Sequence, residues 1–533
     1  TLDRQQMVAA ELLLTTVRLG STQAAVVDMQ AGQCRGGVQL MDLHAQTLSA
    51  VKDTPYTHTL DASETLRRCA SRGAIAHNCA HAPSRRSAVT PTQCKGIDLL
   101  SPTPFANAGT LLVIGYVWPE PRSSAAGGHM MQLLDCFLAD GWRITFASPA
   151  GEGEHKADLA SLGIAEQNIT LNCASFDDFV RELNPDVVLF DRFMMEEQFG
   201  WRVEKHCPNA LRLLETSDLQ SLRDARQQAL KEQLTAGKHD DFTELLSLDH
   251  AQLFQRMAAS DSAKREIAAI YRSDLSLMIS DAEIDLLTHQ FKLPKALLLH
   301  CPLLLDSTPQ PVPEYAEREH FISIGNFRHA PNWDAVLWLK NSLWPLIRQQ
   351  LPKAQLHIYG AYTPPKATAL HNPAQGFHIM NWAPDALEVM RNARVCLAPL
   401  RFGAGIKGKI ADALLCGTPN VTTPIGSEGM HGDLPWPGVI ASNPQALADA
   451  AVQLYRDQAA WQQAQDAGWQ LLAARYEKTR FAKQLMTRIS ACRAQLSEHR
   501  RDNFTGAMLR HHQHKSTQYM AQWIAAKNRL QGA

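Results

Sequence analysis

LLVIGY (residues 111–116), WPEPRSSAAGG (118–128), HMMQLLDCFLAD (129–140) and WRITFA (142–147) form, in this order, a strand, a glycine-rich loop, a helix and a second strand. Nearly continuous apolar runs are typical of strands that are covered on both faces, and a helix between two such runs is typical of a parallel connection. The stretch therefore predicts a βαβ unit. A βαβ unit in turn predicts an α/β fold built on a parallel sheet.

The same alternation continues to about residue 301. Further strands are predicted at DVVLFD (186–191), ALRLLE (210–215), LSLMIS (275–280) and ALLLHC (296–301). Between 216 and 281 the pattern is mainly helical. We expect a Rossmann-like domain over 109–305 with a helical insertion over 216–281.

A second series of strands begins after a proline-containing run at 302–315, which is the best linker in the sequence. The predicted strands are HFISIG (320–325), QLHIYG (355–360), FHIM (377–380), RVCLAP (394–399) and NVTT (420–423), and helices are predicted at 444–456, 458–474 and 478–497. We expect a second Rossmann-like domain over 316–495. Residues 1–108 are interpreted as a poorly defined N-terminal extension and 496–533 as a basic polar tail.

Composition excludes several classes of function. A chain of 533 residues is longer than one hydrophobic core usually supports, which agrees with two domains. The net charge of −1 provides no overall field that would attract nucleic acid. Any anion site must therefore be local, and no nucleic-acid partner is expected.

Eleven cysteines lack the spacing of a zinc site, and several lie inside apolar patterns, so we expect reduced core residues and no metal. No apolar run reaches the roughly 18 residues of a membrane span. We expect a soluble, cytoplasmic protein and leave peripheral membrane contact open. The tail carries His511, His512 and His514, which suit a metal or membrane contact or a solvated helix.

Two glycine-rich turns are candidates for ligand contact, because ligands of parallel sheets bind beyond the carboxyl ends of the strands. The first contains Gly127 and Gly128, followed by His129. It does not have the spacing of a dinucleotide fingerprint. A ligand loop and a plain tight turn are equally compatible with it.

The second turn is more informative. PLRFGAGIKGKIADALLCGTP (399–419) places Arg401 and Lys407 beside a Gly-Ala-Gly turn and the start of a helix. Cations, free backbone N–H groups and a helix N-terminus all bind negative charge, which indicates a diphosphate site. Asp412 lies about one and a half turns into this helix, within reach of a ribose hydroxyl. The alternative is a pair of solvated lysines on an amphipathic helix.

PLRFGAGIKGKIADALLCGTPNVTTPIGSEGM (399–430) resembles the retaining glycosyltransferases of family four, the glycosyl transferases group 1, in the branch with a PLRxGxGxKxKIxEA block. SIGNFRHAPNWD (323–334) and MNWAPD (380–385) are similar to two further segments of that branch. The resemblance implies the GT-B fold, in which two Rossmann-like domains face a cleft, with C-terminal helices. It also implies sugar transfer from a nucleotide-sugar donor with retention of configuration, to a carbohydrate, lipid-linked or protein acceptor, without a cofactor or metal.

The resemblance also implies roles for individual residues. The catalytic cations would be Lys407, Arg328 and Arg401. The donor would be bound by Gly325, Asn326, Asn332, Trp382, Pro384, Gly403, Gly405, Ile406, Asp412 and Glu428, and the acceptor side would include Gly127, Gly128 and His129. Two of these have simpler alternatives, since Trp382 would also serve as a packing aromatic and Asn332 as the cap of a following helix.

The sequence departs from the family at three positions. Ala404 stands where relatives often have the first of two glutamates, and Asp412 replaces the second. Gln220 stands where they often have a histidine, which leaves His129 and His206 as candidates. These departures keep open a catalytically silent nucleotide-sugar-binding protein. A sugar-nucleotide epimerase is a further alternative, although the paired carboxylates that it needs are not visible in the sequence.

Overall fold

The computed structural model describes residues 108–238, 241–511 and 515–531. The predicted N-terminal extension therefore lies outside the described residues, except for Ala108. His512 and His514 of the predicted tail also lie outside them.

The first sheet is entirely parallel and is built from residues 109–300. Its seven strands are β1 (Gly109–Ile114), β2 (Trp142–Ser148), β3 (Ala165–Asn168), β4 (Val187–Asp191), β5 (Leu211–Glu215), β6 (Leu275–Met278) and β7 (Leu298–His300), in the order β3-β2-β1-β4-β5-β6-β7. The helices are α1 (Ala125–Ala139), α2 (Ser175–Leu183), α3 (Phe193–His206), α4 (Gln220–Thr235), α5 (Thr243–Leu246), α6 (His250–Ala258), α7 (Asp261–Arg272) and α8 (Asp281–His289). Leu111, Leu112 and Val113 of β1 are fully buried, as expected for a strand with helices on both faces.

The second sheet repeats this design in residues 320–440. Its six strands are β8 (His320–Ile324), β9 (Leu356–Tyr359), β10 (Phe377–Asn381), β11 (Ala393–Ala398), β12 (Asn420–Thr422) and β13 (Gly438–Ile440), in the order β10-β9-β8-β11-β12-β13. The helices are α9 (Ala330–Trp338), α10 (Trp344–Gln350), α11 (Pro365–Thr368), α12 (Ala386–Arg391), α13 (Gly408–Leu415), α14 (Pro424–Ser427), α15 (Pro444–Arg456) and α16 (Gln458–Arg475). The predicted pair of Rossmann-like domains is thus confirmed.

In each sheet, the order of the strands reverses at the strand that comes first in the chain. β1 pairs with both β2 and β4, and β8 pairs with both β9 and β11. Loops that leave the carboxyl ends of such neighbouring strands diverge to opposite faces of the sheet and leave a crevice between them. Gly127 and Gly128 lie in the first turn of α1, which follows the loop after β1, and the loop after β11 carries the Gly-Ala-Gly turn. The topology thus places both glycine pairs near such crevices.

Several elements differ from the prediction. The sequence pattern also predicts a helix over 334–350, but the helix begins at Ala330 and is interrupted by a π-helical segment, Leu339–Leu343. Pro345 follows this segment, and since proline has no N–H to donate to the preceding turn, the regular bonding pattern is broken there. β3 was not predicted because AEQN, at the edge of the sheet, has no apolar pattern.

The C-terminal helices return to the first domain. They are α17 (Lys478–Ala494), α18 (Leu496–Asp502), α19 (Phe504–Leu509) and α20 (Lys515–Gln531). Phe481, Leu485 and Ile489 of α17 are buried with residues of the first sheet, among them Leu111 and Leu299. The prediction of a second domain over 316–495 included α17 in that domain. Because α17 packs on the first sheet, the second domain ends before this helix.

The first half of the predicted basic polar tail, 496–533, contacts the first domain. Arg500 contacts Asp274 through Nε and Nη2 at 2.8 and 2.7 Å. Asn503 Nδ2 donates to the carbonyl of Tyr271 at 2.7 Å, and Arg510 Nε lies 3.2 Å from Glu204. These polar side chains have partners across the domain that are more than 200 positions away in sequence, which a local pattern does not reveal. Among the described helices, none has the length and apolar character of a membrane span.

Candidate active site

A cleft of about 820 Å³ lies between the two sheets and is lined by both domains. Twelve of the sixteen residues predicted for the site line it: Gly127, Gly128, His129, Gly325, Asn326, Arg328, Asn332, Trp382, Gly403, Ile406, Lys407 and Asp412. The remaining four, Arg401, Pro384, Gly405 and Glu428, do not line it.

Lys407 stands at the start of α13, where the Gly-Ala-Gly turn ends. Its Nζ donates to the carbonyls of Gly405 and, at 3.3 Å, of Ala404. The side chain is buried, and the burial lowers the pKa of its ammonium group, whereas the nearby Glu428 opposes this shift. The first N–H groups of a helix have no acceptor within the helix, so α13 adds its N-terminus to this cation.

Lys409 is a second cation in the cleft that the sequence analysis did not assign. Its Nζ donates to Asn332 Oδ1 at 2.9 Å. Burial lowers the pKa of Lys409 to about 8 and raises that of Asp412 to about 7, and the two groups oppose each other's shift. The second lysine of the KGK sequence at 407–409 was a signal that a further cation lines the cleft.

Asn332 connects this cation to the loop after β8. Its Nδ2 donates to the carbonyl of Asn326 at 3.0 Å. A Cβ on Gly325 would lie 2.5 Å from the Asn332 amide, so the side chain fits only against glycine. Because α9 begins at Ala330, the alternative interpretation of Asn332 as a helix cap is wrong.

Arg401 was predicted to hold the diphosphate, but it turns away from the cleft. Its guanidinium forms two hydrogen bonds with Asp334, at 3.0 and 2.6 Å, and lies 4.7 Å from the ring centroid of Phe242. It is buried, and these contacts connect the second domain with the helical insertion. The spacing of Arg401 from the glycines could not show on which side of the loop its side chain emerges.

Glu428 was predicted to contact the donor, but it pairs with Arg226 of α4 instead. The two guanidinium nitrogens lie 2.8 and 2.5 Å from the carboxylate oxygens. Nη1 of Arg226 also donates to the carbonyl of Gly403 at 2.8 Å. Arg226 therefore joins the first domain to the glycine turn, and it is a positioning residue that the sequence analysis missed.

Gly405 and Pro384 also differ from their predicted roles. Gly405 has a φ of 62°, and a Cβ there would lie 2.8 Å from Cβ of Asp218. Its N–H donates to Glu283 Oε1 at 2.8 Å, so this N–H is bound by a carboxylate of the first domain and does not face the cleft. Pro384 is exposed beside the cleft, and its neighbour Ala383 is the lining residue.

The opposite wall is formed by the start of α1. Ser124 caps this helix by accepting from the N–H of Gly127 at 3.0 Å, and a Cβ on Gly127 would lie 2.5 Å from the carbonyl oxygen of Glu120. His129 is 2% exposed, and its Nδ1 lies 3.4 Å from Glu215. Its Nε2 has no partner among the described residues, so it is available to a ligand hydroxyl.

The other histidine candidate, His206, does not line the cleft, whereas Gln220, which stands in place of the relatives' histidine, does. His206 instead lies 3.6 Å from Asp177 of α2.

Carboxylates that the sequence analysis did not find also line the cleft. Among them are Asp191, Asp218 and Glu266. Asp191 accepts from the N–H of Tyr116 at 3.0 Å, and burial raises its pKa. Burial raises the pKa of Glu266 to about 7, and this group accepts from the N–H of Gln220 at 2.9 Å. Asp191 ends β4 and was detectable at a strand end, whereas the other two lie in or beside the helical insertion, where no pattern indicates their direction.

Direct contacts cross the cleft beside Trp382, where the family resemblance predicts the nucleotide base. The hydroxyl of Tyr362 donates to Glu120 at 2.9 Å. Trp382 donates from Nε1 to the carbonyl of Arg122 at 3.0 Å and stacks on His155, with ring centroids 4.4 Å apart. These two hydrogen bonds therefore hold the loop after β1 against the second domain, beside Trp382.

The closeness of the two helix starts leads to a first prediction. A Cβ on Gly408 would lie 2.4 Å from Cβ of Ala125, so Gly408→Ala requires the two domains to separate. We expect a loss of about 1–3 kcal/mol in stability and a roughly tenfold lower kcat/KM for the donor. Ala125→Gly removes the opposing methyl group, so the double variant should recover both quantities. Equal melting temperatures and kinetics in the wild type and Gly408→Ala would contradict the close approach.

Comparison with known proteins agrees with this geometry. Residues 318–457 match the family described as Glycosyl transferases group 1. No curated protein sequence matches the chain. The match spans the second domain from β8 to α15.

Solved structures show the GT-B fold for the described chain. Sucrose-phosphate synthase from Thermosynechococcus elongatus is 16% identical, with a TM-score of 0.52, over 71% of this chain and 97% of its own. HepE from Anabaena, solved with UDP and glucose, is 12% identical, with a TM-score of 0.52, over 71% and 99%. A glycosyltransferase from Rickettsia africae is 11% identical, with a TM-score of 0.51, over 72% and 99%. At these identities the likeness concerns the fold.

Proposed function

We propose that this glycosyltransferase moves a sugar from a nucleotide-sugar donor to a carbohydrate acceptor with retention of configuration. The observation that carries the proposal is the arrangement of Lys407, Lys409 and the N-terminus of α13 on one wall of the cleft. Negative charge builds up on the departing diphosphate in the transition state, and fixed cations and helix dipoles placed there stabilise it. Lys407 exchanges its present carbonyl acceptors for diphosphate oxygens when the donor binds.

The rest of the donor lies along the second domain. Arg328 adds a third positive charge, and its guanidinium stacks 3.5 Å from the ring centroid of Tyr362. We assign Trp382, which lines the cleft, to stacking on the nucleotide base. Asp412 accepts from a ribose hydroxyl, and a carboxyl group whose pKa burial raises to about 7 is able to do so in either protonation state.

The acceptor enters from the first domain. His129 offers Nε2 to a hydroxyl of the transferred sugar or of the acceptor, and Glu215 orients the ring through Nδ1. For transfer with retention, the acceptor attacks from the face that the diphosphate leaves, and a diphosphate oxygen takes the acceptor proton. This route needs no protein carboxylate as a nucleophile.

A ligand panel tests the donor class. Purified protein is heated with UDP-, GDP- and ADP-sugars, and a donor that binds the folded state raises the melting temperature. The stabilising donor is then incubated with oligosaccharide acceptors, and the anomeric configuration of the product is assigned by NMR. We expect transfer with retention. Stabilisation without turnover would identify a binding protein, and epimerised donor without transfer would identify an epimerase, so either result would contradict the proposal.

The lowered pKa of Lys409 sets an upper pH limit for the reaction. Burial lowers the pKa of Lys409 to about 8, and loss of its proton removes attraction for the diphosphate. We expect kcat/KM for the donor to fall as the pH rises above about 8. The corresponding fall in kcat should occur at higher pH, because bound diphosphate favours the charged lysine. Lys409→Arg retains its charge and should shift the limit upward, whereas a flat profile to pH 9.5 in the wild type would contradict this role.

A further inference from the structure

Helix α20 presents one face to the protein and a different apolar face to solvent. It lies against α3, and Ala521 on its inner face is 2% exposed. On the outer side, Tyr519, Trp523 and Leu530 are 65, 53 and 81% exposed. Together with Ala526 these residues follow one another at intervals of four, three and four positions, which places them in one stripe along a helix.

The preceding helix in the chain, α19, also exposes apolar side chains. Phe504 and Met508 lie one turn apart on α19 and are 74 and 49% exposed. A monomeric water-soluble protein rarely exposes large apolar residues in such a cluster without using it for contact. We call the outer side chains of α20 the apolar stripe; they are Tyr519, Trp523, Ala526 and Leu530.

Positive charge borders the apolar stripe on both sides. By helical geometry, Lys527 lies on one side of it, and Lys515 and Arg529 lie on the other. Nζ of Lys527 is 5.6 Å from the ring centroid of Trp523. Residues 503–531 contain no Asp or Glu. An occupant of this surface should therefore combine an apolar interior with a negative boundary.

We propose that the apolar stripe docks the protein on the surface of an anionic lipid bilayer, with α20 parallel to the membrane plane. Trp and Tyr favour the boundary between headgroups and acyl chains, and lysine stems reach along apolar surface to place their charge among phosphates. A second copy of the chain is less suited to this surface. A two-fold contact would bring the same cations face to face, which is unfavourable.

Co-sedimentation of the full chain with vesicles tests the proposal. Vesicles of phosphatidylcholine alone are compared with vesicles containing phosphatidylglycerol at three parts in ten, at low and high salt. We expect binding to the anionic vesicles only, weakened by salt because the cations contribute about 1 kcal/mol each near such a surface. No binding to anionic vesicles by the folded protein would overturn the proposal.

Two variants identify the surface that binds. Trp523→Gln with Leu530→Gln removes apolar contact, and Lys527→Glu with Arg529→Glu reverses charge, and each should weaken binding at least about tenfold. Leu162→Gln is the matched control, since Leu162 is 47% exposed in another part of the chain, and it should bind like the wild type. Unchanged binding in both double variants would overturn the assignment. So would a dimer in sedimentation velocity that Trp523→Gln dissociates.

Discussion

Replacing Lys407 by methionine should lower kcat by a factor of about 30 to 1000, which corresponds to about 2–4 kcal/mol of lost transition-state stabilisation. The side chain is 8% exposed and lines the cleft at the start of α13. Methionine retains most of its volume and removes the ammonium group, so the change isolates the charge. Because the diphosphate gains negative charge as the sugar leaves, kcat should fall more than KM rises.

The control is a lysine outside the cleft. Lys366→Met removes an exposed ammonium group that lies 4.5 Å from the ring centroid of Trp333, and it should leave kcat unchanged. Lys407→Met should also melt no earlier than the wild type. Burial lowers the pKa of Lys407, so the folded state binds this proton less tightly than the unfolded chain and the charge opposes folding below its ordinary pKa. A folded Lys407→Met variant whose kcat stays within threefold of the wild type would contradict the assigned role.

Arg226→Met should produce the second large effect, on both stability and turnover. Arg226 is 2% exposed and joins the first domain to Glu428 and to the carbonyl of Gly403. Removing it leaves the carboxylate of Glu428 largely buried and unpaired. We expect about 3 kcal/mol less stability, near the lower end for a buried pair because the Glu428 side chain is 23% exposed. The freed turn should also lower kcat/KM for the donor by about tenfold.

A double-mutant cycle separates the ion pair from other effects. Glu428→Gln combined with Arg226→Met removes both charges of the pair, so the double variant should be more stable than Arg226→Met alone. Arg256→Met is the matched control, because Arg256 contacts Glu232 of the same α4 in an exposed pair and should cost less than about 1 kcal/mol. Additive losses in the cycle would mean that Arg226 acts through packing and not through Glu428.

The fold was largely predictable because its signals are local. Apolar strands alternate with amphipathic helices, and each strand needs only its own residues to be recognised. The same holds for the Gly-Ala-Gly turn, which lies at a strand end, whereas Gly127 and Gly128 lie in the first turn of α1 and not in a tight turn. The return of α17 to the first domain was not predictable, since Phe481 and Leu485 fit either sheet by pattern alone.

The site was predictable in position and less so in detail. The 399–419 block identified Lys407 and the start of α13, which line the cleft. The block could not show that Arg401 lies outside the cleft, paired with Asp334, which is 67 positions away in sequence. Nor could it reveal Arg226, whose partner Glu428 is 202 positions away. Two cations in one segment can therefore differ in role, one in the cleft and the other in an internal ion pair. Which role each has depends on partners that only the folded chain brings near.

A crystal structure of the wild type with the nucleotide-sugar selected by the thermal panel tests the central claim most directly. We predict that diphosphate oxygens lie within hydrogen-bond distance of Lys407 Nζ and of the first backbone N–H groups of α13, with the sugar directed toward His129. A well-ordered diphosphate bound elsewhere in the cleft, with Lys407 still donating to the carbonyls of Ala404 and Gly405, would contradict it.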